Sequence, residues 1–76
     1  MAKAYLKIWV DSGKEKTILG RLRKMKGVKS ADLTAGEQDI IALVEGRTHD
    51  ILLKMIVSTL RKIKGITRTA TNLILE

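Results

Sequence analysis

Two short stretches of the chain carry residue types from which chemistry could be built. Gly36-Glu37-Gln38-Asp39 reads as a turn, and free backbone N–H groups in a glycine turn can hold a carboxylate. Thr67, Thr69 and Thr71 alternate with Arg68 and Ala70 near the end of the sequence. Threonine hydroxyls can meet either a carboxylate or an ammonium. Turn and hydroxyls together suit a zwitterionic amino acid held at a subunit boundary. The plainer reading of the threonines is an edge strand with a polar face, because threonine is β-prone.

Catalysis finds little footing elsewhere. His49 is the sole histidine and there is no cysteine, so disulfides and thiolate metal sites are excluded. No phosphate-binding loop or dinucleotide fingerprint occurs, and no nucleophile–base pair stands out. The carboxylates are scattered, with Glu37 and Asp39 sharing one turn. The expectation is a protein without enzymatic activity, metal or cofactor.

The elements that position these stretches follow from an internal repeat. Residues 22–28, LRKMKGV, return as LRKIKGI at residues 60–66, an offset of 38 in a chain of 76. Such a period marks two copies of one small unit. In each unit an amphipathic helix ends in Lys-Gly and runs into a β-prone segment. Ile18, Leu19, Leu22 and Met25 form one helical stripe, and Ile56, Val57, Leu60 and Ile63 repeat it. Ser12 and Glu15 have the spacing of a capping box, and Thr48 is placed to cap the second helix. Gly27 and Gly65 are helix stops. Gly20, inside the first helix, suggests a close approach by another element.

Residues 4–10 alternate, with Ala4, Leu6, Ile8 and Val10 on one side and Tyr5, Lys7 and Trp9 on the other, which reads as a strand. Residues 28–35, 40–44 and 66–75 complete the order βαββαβ. The expected fold is therefore an α+β, ferredoxin-like sandwich, a four-stranded antiparallel sheet with both helices on one face. Residues 1–76 make one domain.

Residues 40–44, IIALV, do not alternate, so this central strand is apolar on both sides. Either Ile41 and Leu43, or Ile40, Ala42 and Val44, face away from the helices. With Tyr5 and Trp9 on the neighbouring strand, such a patch would be uncovered in a monomer. A homodimer pairing sheet face to sheet face is expected, with Tyr5, Trp9, Ile41 and Leu43 at its interface.

The net charge of +7 invites a nucleic-acid reading. Its placement argues otherwise. Arg21, Arg23, Lys24 and Lys26 fall at the end of the first helix, and Arg61, Lys62 and Lys64 at the end of the second. Cations there complement the helix dipole and are ordinarily solvated. Base stacking on this sheet would need more aromatics than Tyr5 and Trp9. Direct DNA binding is not expected. The apolar runs are far short of a membrane span and no signal-peptide pattern opens the sequence, so a cytoplasmic protein is expected. Absence of Pro and Cys, with many Lys, Arg and Ile, suits a thermophile.

The chain resembles the effector-binding domain of the leucine-responsive/asparagine regulators, the Lrp/AsnC family, also called the RAM domain. The resemblance rests on AYLKIWVDSGKEKTILGRLRKMKGVKSA, LTAGEQDIIALVEG and TLRKIKGITRTATNLILE. Its most specific parts are the Gly-x-x-Asp turn entering IIALV and the terminal Lys-Gly-Ile-x-x-Thr-x-Thr. It implies dimers that pair through their sheets and assemble into a ring, often an octamer. A small amino acid would bind between dimers, contacted by the backbone of Gly36, Glu37, Gln38 and Asp39 and by the hydroxyls of Thr69 and Thr71. Asp39 would also order the turn. The chain has no room for the helix-turn-helix domain of full-length members and so resembles the stand-alone form, which would regulate transcription indirectly, in part through full-length relatives. Where the family commonly has Pro before each helix-end glycine, this chain has Lys26 and Lys64. The alternatives are a basic nucleic-acid-binding module and a purely structural oligomerisation module.

Overall fold

Alternating burial along the first nine-residue strand sets the layering. In the computed structural model, which describes residues 1–60 and 62–75, β1 (Ala2–Val10) is followed by α1 (Glu15–Arg23), β2 (Val28–Leu33), β3 (Ile40–Gly46), α2 (His49–Leu60) and β4 (Ile66–Ile74). The strands form one antiparallel sheet in the order β2-β3-β1-β4. This is the ferredoxin-like order, with β1 and β3 central. Arg61, read from the sequence as part of a helix-end cluster, lies outside the described residues.

Leu6, Ile8, Ile40 and Val44 point from the sheet into a cluster with Ile18 and Leu22 of α1 and Leu52 and Ile56 of α2. Both helices therefore cover the same face. No polar side chain is buried among the described residues, so burial of apolar surface supplies the driving force. In β3, Ile40, Ala42 and Val44 take the helix side while Ile41 and Leu43 face the opposite way and are half-buried. The two-sided apolar character of this strand thus resolves into one core row and one row on the open face.

The repeat acts at the helix ends. Gly27 has φ +92° and Gly65 has φ +101°, a backbone that favours glycine. Each packs on the opposite half of the chain. A Cβ on Gly27 would lie 2.9 Å from Met55 Cε of α2, and one on Gly65 would lie 3.0 Å from Ile18 Cδ1 of α1. The Gly27 carbonyl accepts the Glu45 N–H at 2.8 Å, and the Gly65 carbonyl accepts the Asp11 N–H at 2.7 Å. Each half closes on the other through the same device.

Four local expectations need correction. The Ser12–Glu15 capping box does not form: the α1 N-cap is Lys14, without a side-chain cap. Lys14 N–H instead donates to the Asp11 carbonyl at 3.0 Å, a turn that leaves Ser12 too far ahead of the helix. Thr48 does cap α2, its hydroxyl accepting the Ile51 N–H at 3.1 Å. Gly20 meets no close neighbour; a Cβ there would have nothing within 4 Å. Val57 breaks the repeat, being 50% exposed where its counterpart Leu19 is 8% exposed. Finally, β2 stops at Leu33 because Thr34 turns into the following loop.

These glycines separate in a stability measurement. Gly65→Ala is expected to cost about 1–2 kcal/mol because alanine resists the left-handed backbone. Gly20→Ala is expected to add about 0.5–1 kcal/mol, because its site is helical and open. Thermal unfolding followed by circular dichroism, at fixed protein concentration, should show Tm moving in opposite directions for the two variants.

Candidate functional site

The loop between β2 and β3 is ordered from both ends by hydrogen bonds that use its carbonyl groups. Thr34 N–H donates to the Asp39 carbonyl at 2.9 Å, and the Thr34 hydroxyl donates to the Gln38 carbonyl at 2.9 Å. Trp9 Nε1–H donates to the Glu37 carbonyl at 2.8 Å. The carbonyls of residues 37, 38 and 39 are thus all engaged. Asp39 N–H donates to the Ile8 carbonyl at 3.0 Å, and the Asp39 carboxylate accepts the Val10 N–H at 2.9 Å. That last bond falls where the β1–β4 register shifts between Trp9 and Val10, so Asp39 holds an N–H that the ladder leaves free.

The amides of the loop are arranged differently from its carbonyls. Among the described residues, the N–H groups of Gly36, Glu37 and Gln38 donate to no protein atom. Successive free amides can hold an anion where they converge. Asp39 lines a cleft of about 440 Å³ with Gly13, Glu15, Lys16, Leu33 and Thr34.

Thr69 and Thr71 lie elsewhere. They pair in register with Ile8 and Leu6, so they share the helix side of the sheet. There they line a groove of about 390 Å³ with Leu53, Ile56, Val57 and Leu60 of α2. This strand is at the sheet edge beyond β1, whereas the loop joins β2 to β3 on the other side. One chain therefore does not bring the loop and the two threonines into one cavity. Exposed Leu53 and Val57 give the threonine groove an apolar wall; of the two, Val57 belonged to the sequence stripe expected to face the core.

Trp9 ties the two regions together. Its edge is held by the loop, and the Arg68 guanidinium of β4 stacks 4.6 Å from its ring centroid, a favourable cation–π arrangement. Tyr5 and Leu43 are direct cross-strand partners on the open face, and Ile41 is beside Lys7. Tyr5 is 46% exposed. Sequence reasoning missed Thr34 and Arg68. The first could have been read from a hydroxyl residue placed just before a turn; the second needed the strand register.

A model of the Lrp/AsnC ligand binding domain matches residues 3–76 of this chain. The chain belongs to the Lrp/AsnC family. It is 34% identical over 62 residues to an uncharacterized HTH-type transcriptional regulator of Pyrococcus furiosus, covering 80% of this chain and 41% of that protein. It thus spans less than half the length of this curated relative. It superimposes on the crystal structure of FFRP-DM1 with a TM-score of 0.93 at 32% identity, over 99% of this chain and 100% of that one. A Neisseria meningitidis transcriptional regulator solved as an L-Met complex shares the fold, with a TM-score of 0.85 at 18% identity, over 99% of this chain and 50% of that one. The Pyrococcus and Neisseria proteins are both transcriptional regulators. Among the described residues, no group of three or more His, Cys, Asp or Glu is placed to hold a metal ion, and no helix is long and apolar enough to cross a membrane.

The Trp9 contact makes the Lrp/AsnC loop visible in solution, because Trp9 is the sole tryptophan. Asp39→Ala leaves the Val10 N–H without its acceptor, at a cost of about 1 kcal/mol or more, and loosens the loop. Its emission is expected to shift to longer wavelength while the far-ultraviolet circular dichroism stays unchanged. An unshifted spectrum would show that Asp39 does not order the loop.

Proposed function

We propose that this chain is an amino-acid-sensing domain of the Lrp/AsnC type, which binds a small amino acid between dimers of a larger assembly and regulates transcription indirectly. The whole chain, residues 1–76, acts as one effector-binding and oligomerisation domain. The observation that carries this reading is the loop at Gly36–Asp39, where the carbonyls of residues 37–39 are engaged while the amides of residues 36–38 donate to no protein atom among the described residues. Those amides suit the effector's carboxylate, and the hydroxyls of Thr69 and Thr71 suit its ammonium group, with Leu53 and Val57 beside them for an apolar side chain. Because loop and threonines occupy different sites of one chain, the pocket is assembled from two copies. Ligand binding is then linked to assembly by mass action.

The open sheet face supports the first step of that assembly. Tyr5, Ile41 and Leu43 form an apolar strip on the side that neither helix covers, and Trp9 borders it. Two such faces brought together by a two-fold axis bury the strip, and the dimers close into a ring, an octamer or similar. The ligand class matches that of the Neisseria regulator crystallised with L-Met. No cofactor and no catalytic step enter this mechanism. The protein acts in the cytoplasm, and full-length Lrp/AsnC relatives are its proposed partners through mixed assembly.

The test is a screen of the twenty amino acids by thermal shift and by sizing. At least one is expected to raise Tm or change the assembly, and Thr69→Ala/Thr71→Ala should abolish that response without lowering Tm in its absence. Silence across the whole set would sink the sensing role and leave a structural oligomerisation module.

A further inference from the structure

The net charge of +7 is unevenly spread over the fold. Lys26 follows α1, Lys29 lies in β2, and Arg47 directly precedes the Thr48 cap of α2. These three come from separate elements and share one cleft of about 620 Å³ with Ile51 and Met55. Arg21 and Lys24, at the end of α1, extend the same end of the molecule. All five are exposed.

Their neighbours do not neutralise them. Glu45, in the same cleft, lies 3.9 Å from Lys3, and Asp50 pairs with Lys54 at 3.2 Å. Among the described residues, none of the five cations lies within 4.0 Å of a carboxylate. At the opposite end, Lys14, Lys16, Lys62 and Lys64 are interspersed with Asp11, Glu15, Glu37 and Asp39.

Helix-dipole complementarity accounts for the cations at the end of α1 but not for Lys29 and Arg47. Lys26, Lys29 and Arg47 line one cleft with Ile51, Leu52 and Met55 of α2, and Arg47 directly precedes the end of that helix that already carries partial positive charge. Like charges gathered there repel one another and the helix end, a cost that an anionic partner offsets. The helix end itself is capped by Thr48, so the three side chains supply the attraction.

We propose that this end of the domain binds the phosphate backbone of duplex nucleic acid without reading its sequence. Cations distributed over several elements suit a rail of regularly spaced phosphates. Single strands are ordinarily gripped by aromatic stacking, and no aromatic residue lines this cleft. The surface lies away from the Gly36–Asp39 loop, so effector binding and phosphate binding can occur on one molecule. This inference does not depend on the amino-acid-sensing role, and it reverses the expectation from sequence that DNA is not bound directly.

The test measures anisotropy of labelled duplex DNA of two unrelated sequences, titrated with the full chain over a range of salt. Equal affinity for both sequences is expected, falling steeply as salt rises. Replacing Lys26, Lys29 and Arg47 by Gln should weaken binding about tenfold or more at low salt and flatten the log–log salt slope by about one unit per charge removed. Replacing Lys16, Lys62 and Lys64 by Gln removes the same charge from the other end and should change both quantities much less. No binding at low salt, or equal losses from the two triple variants, would overturn the proposal.

Discussion

Reciprocal closure of the two half-chains is the constraint on which the structure rests. The carbonyl of each helix-end glycine takes an N–H from the other half, Glu45 in β3 or Asp11 just after β1, and each glycine lacks a Cβ where a side chain of the other helix packs. A hydrogen bond of this kind contributes only about 0.5–1.5 kcal/mol net. Its larger effect is geometric, because it fixes where each helix may end and so places both helices on one face. Once that is set, the opposite face of the sheet has no cover within the chain. The apolar row of Ile41 and Leu43 beside Tyr5 is the direct consequence.

The parts of the chain outside the repeat are then free to differ. After Gly27 the chain continues into β2 and the Thr34–Asp39 loop; after Gly65 it continues into β4 with its threonines. In the first, Thr34 and Trp9 hold the carbonyls of residues 37–39, and the amides of residues 36–38 donate to no protein atom among the described residues. In the second, Val57, which unlike Leu19 stays out of the core, lines a groove with Thr69 and Thr71. These two surfaces are on different sides of one chain, and in the proposed function this separation is what makes a shared ligand depend on a second copy.

Most of the fold was legible because its signals are local. Strand alternation from Ala4 to Val10, the helix stops at Gly27 and Gly65 and the Thr48 cap all follow from short-range spacing. The errors occurred where a tertiary choice decides between local options. Ser12 had the spacing of a cap, but the Asp11–Lys14 turn takes the backbone first. Gly20 suggested a close approach, yet nothing approaches it. The loop residues could be named from the Gly-x-x-Asp pattern, but their hydrogen bonding to Trp9 and Val10 spans about thirty positions and follows from the strand register. Lys26, Lys29 and Arg47 are scattered in sequence, so their convergence became visible only in three dimensions.

The central claim, that one pocket is built from the loop of one copy and the threonines of another, is tested most directly by mixing two variants. Glu37→Pro deletes one free loop amide; Thr69→Ala/Thr71→Ala deletes the hydroxyls. Each variant alone should fail to bind the amino acid that the unmodified chain binds. When the two are unfolded together and reassembled, calorimetric titration should show part of the binding restored, because some pockets then combine an intact loop with intact threonines. If the mixture binds no better than either variant alone, while both assemble normally, the pocket is not shared between copies and the account is wrong.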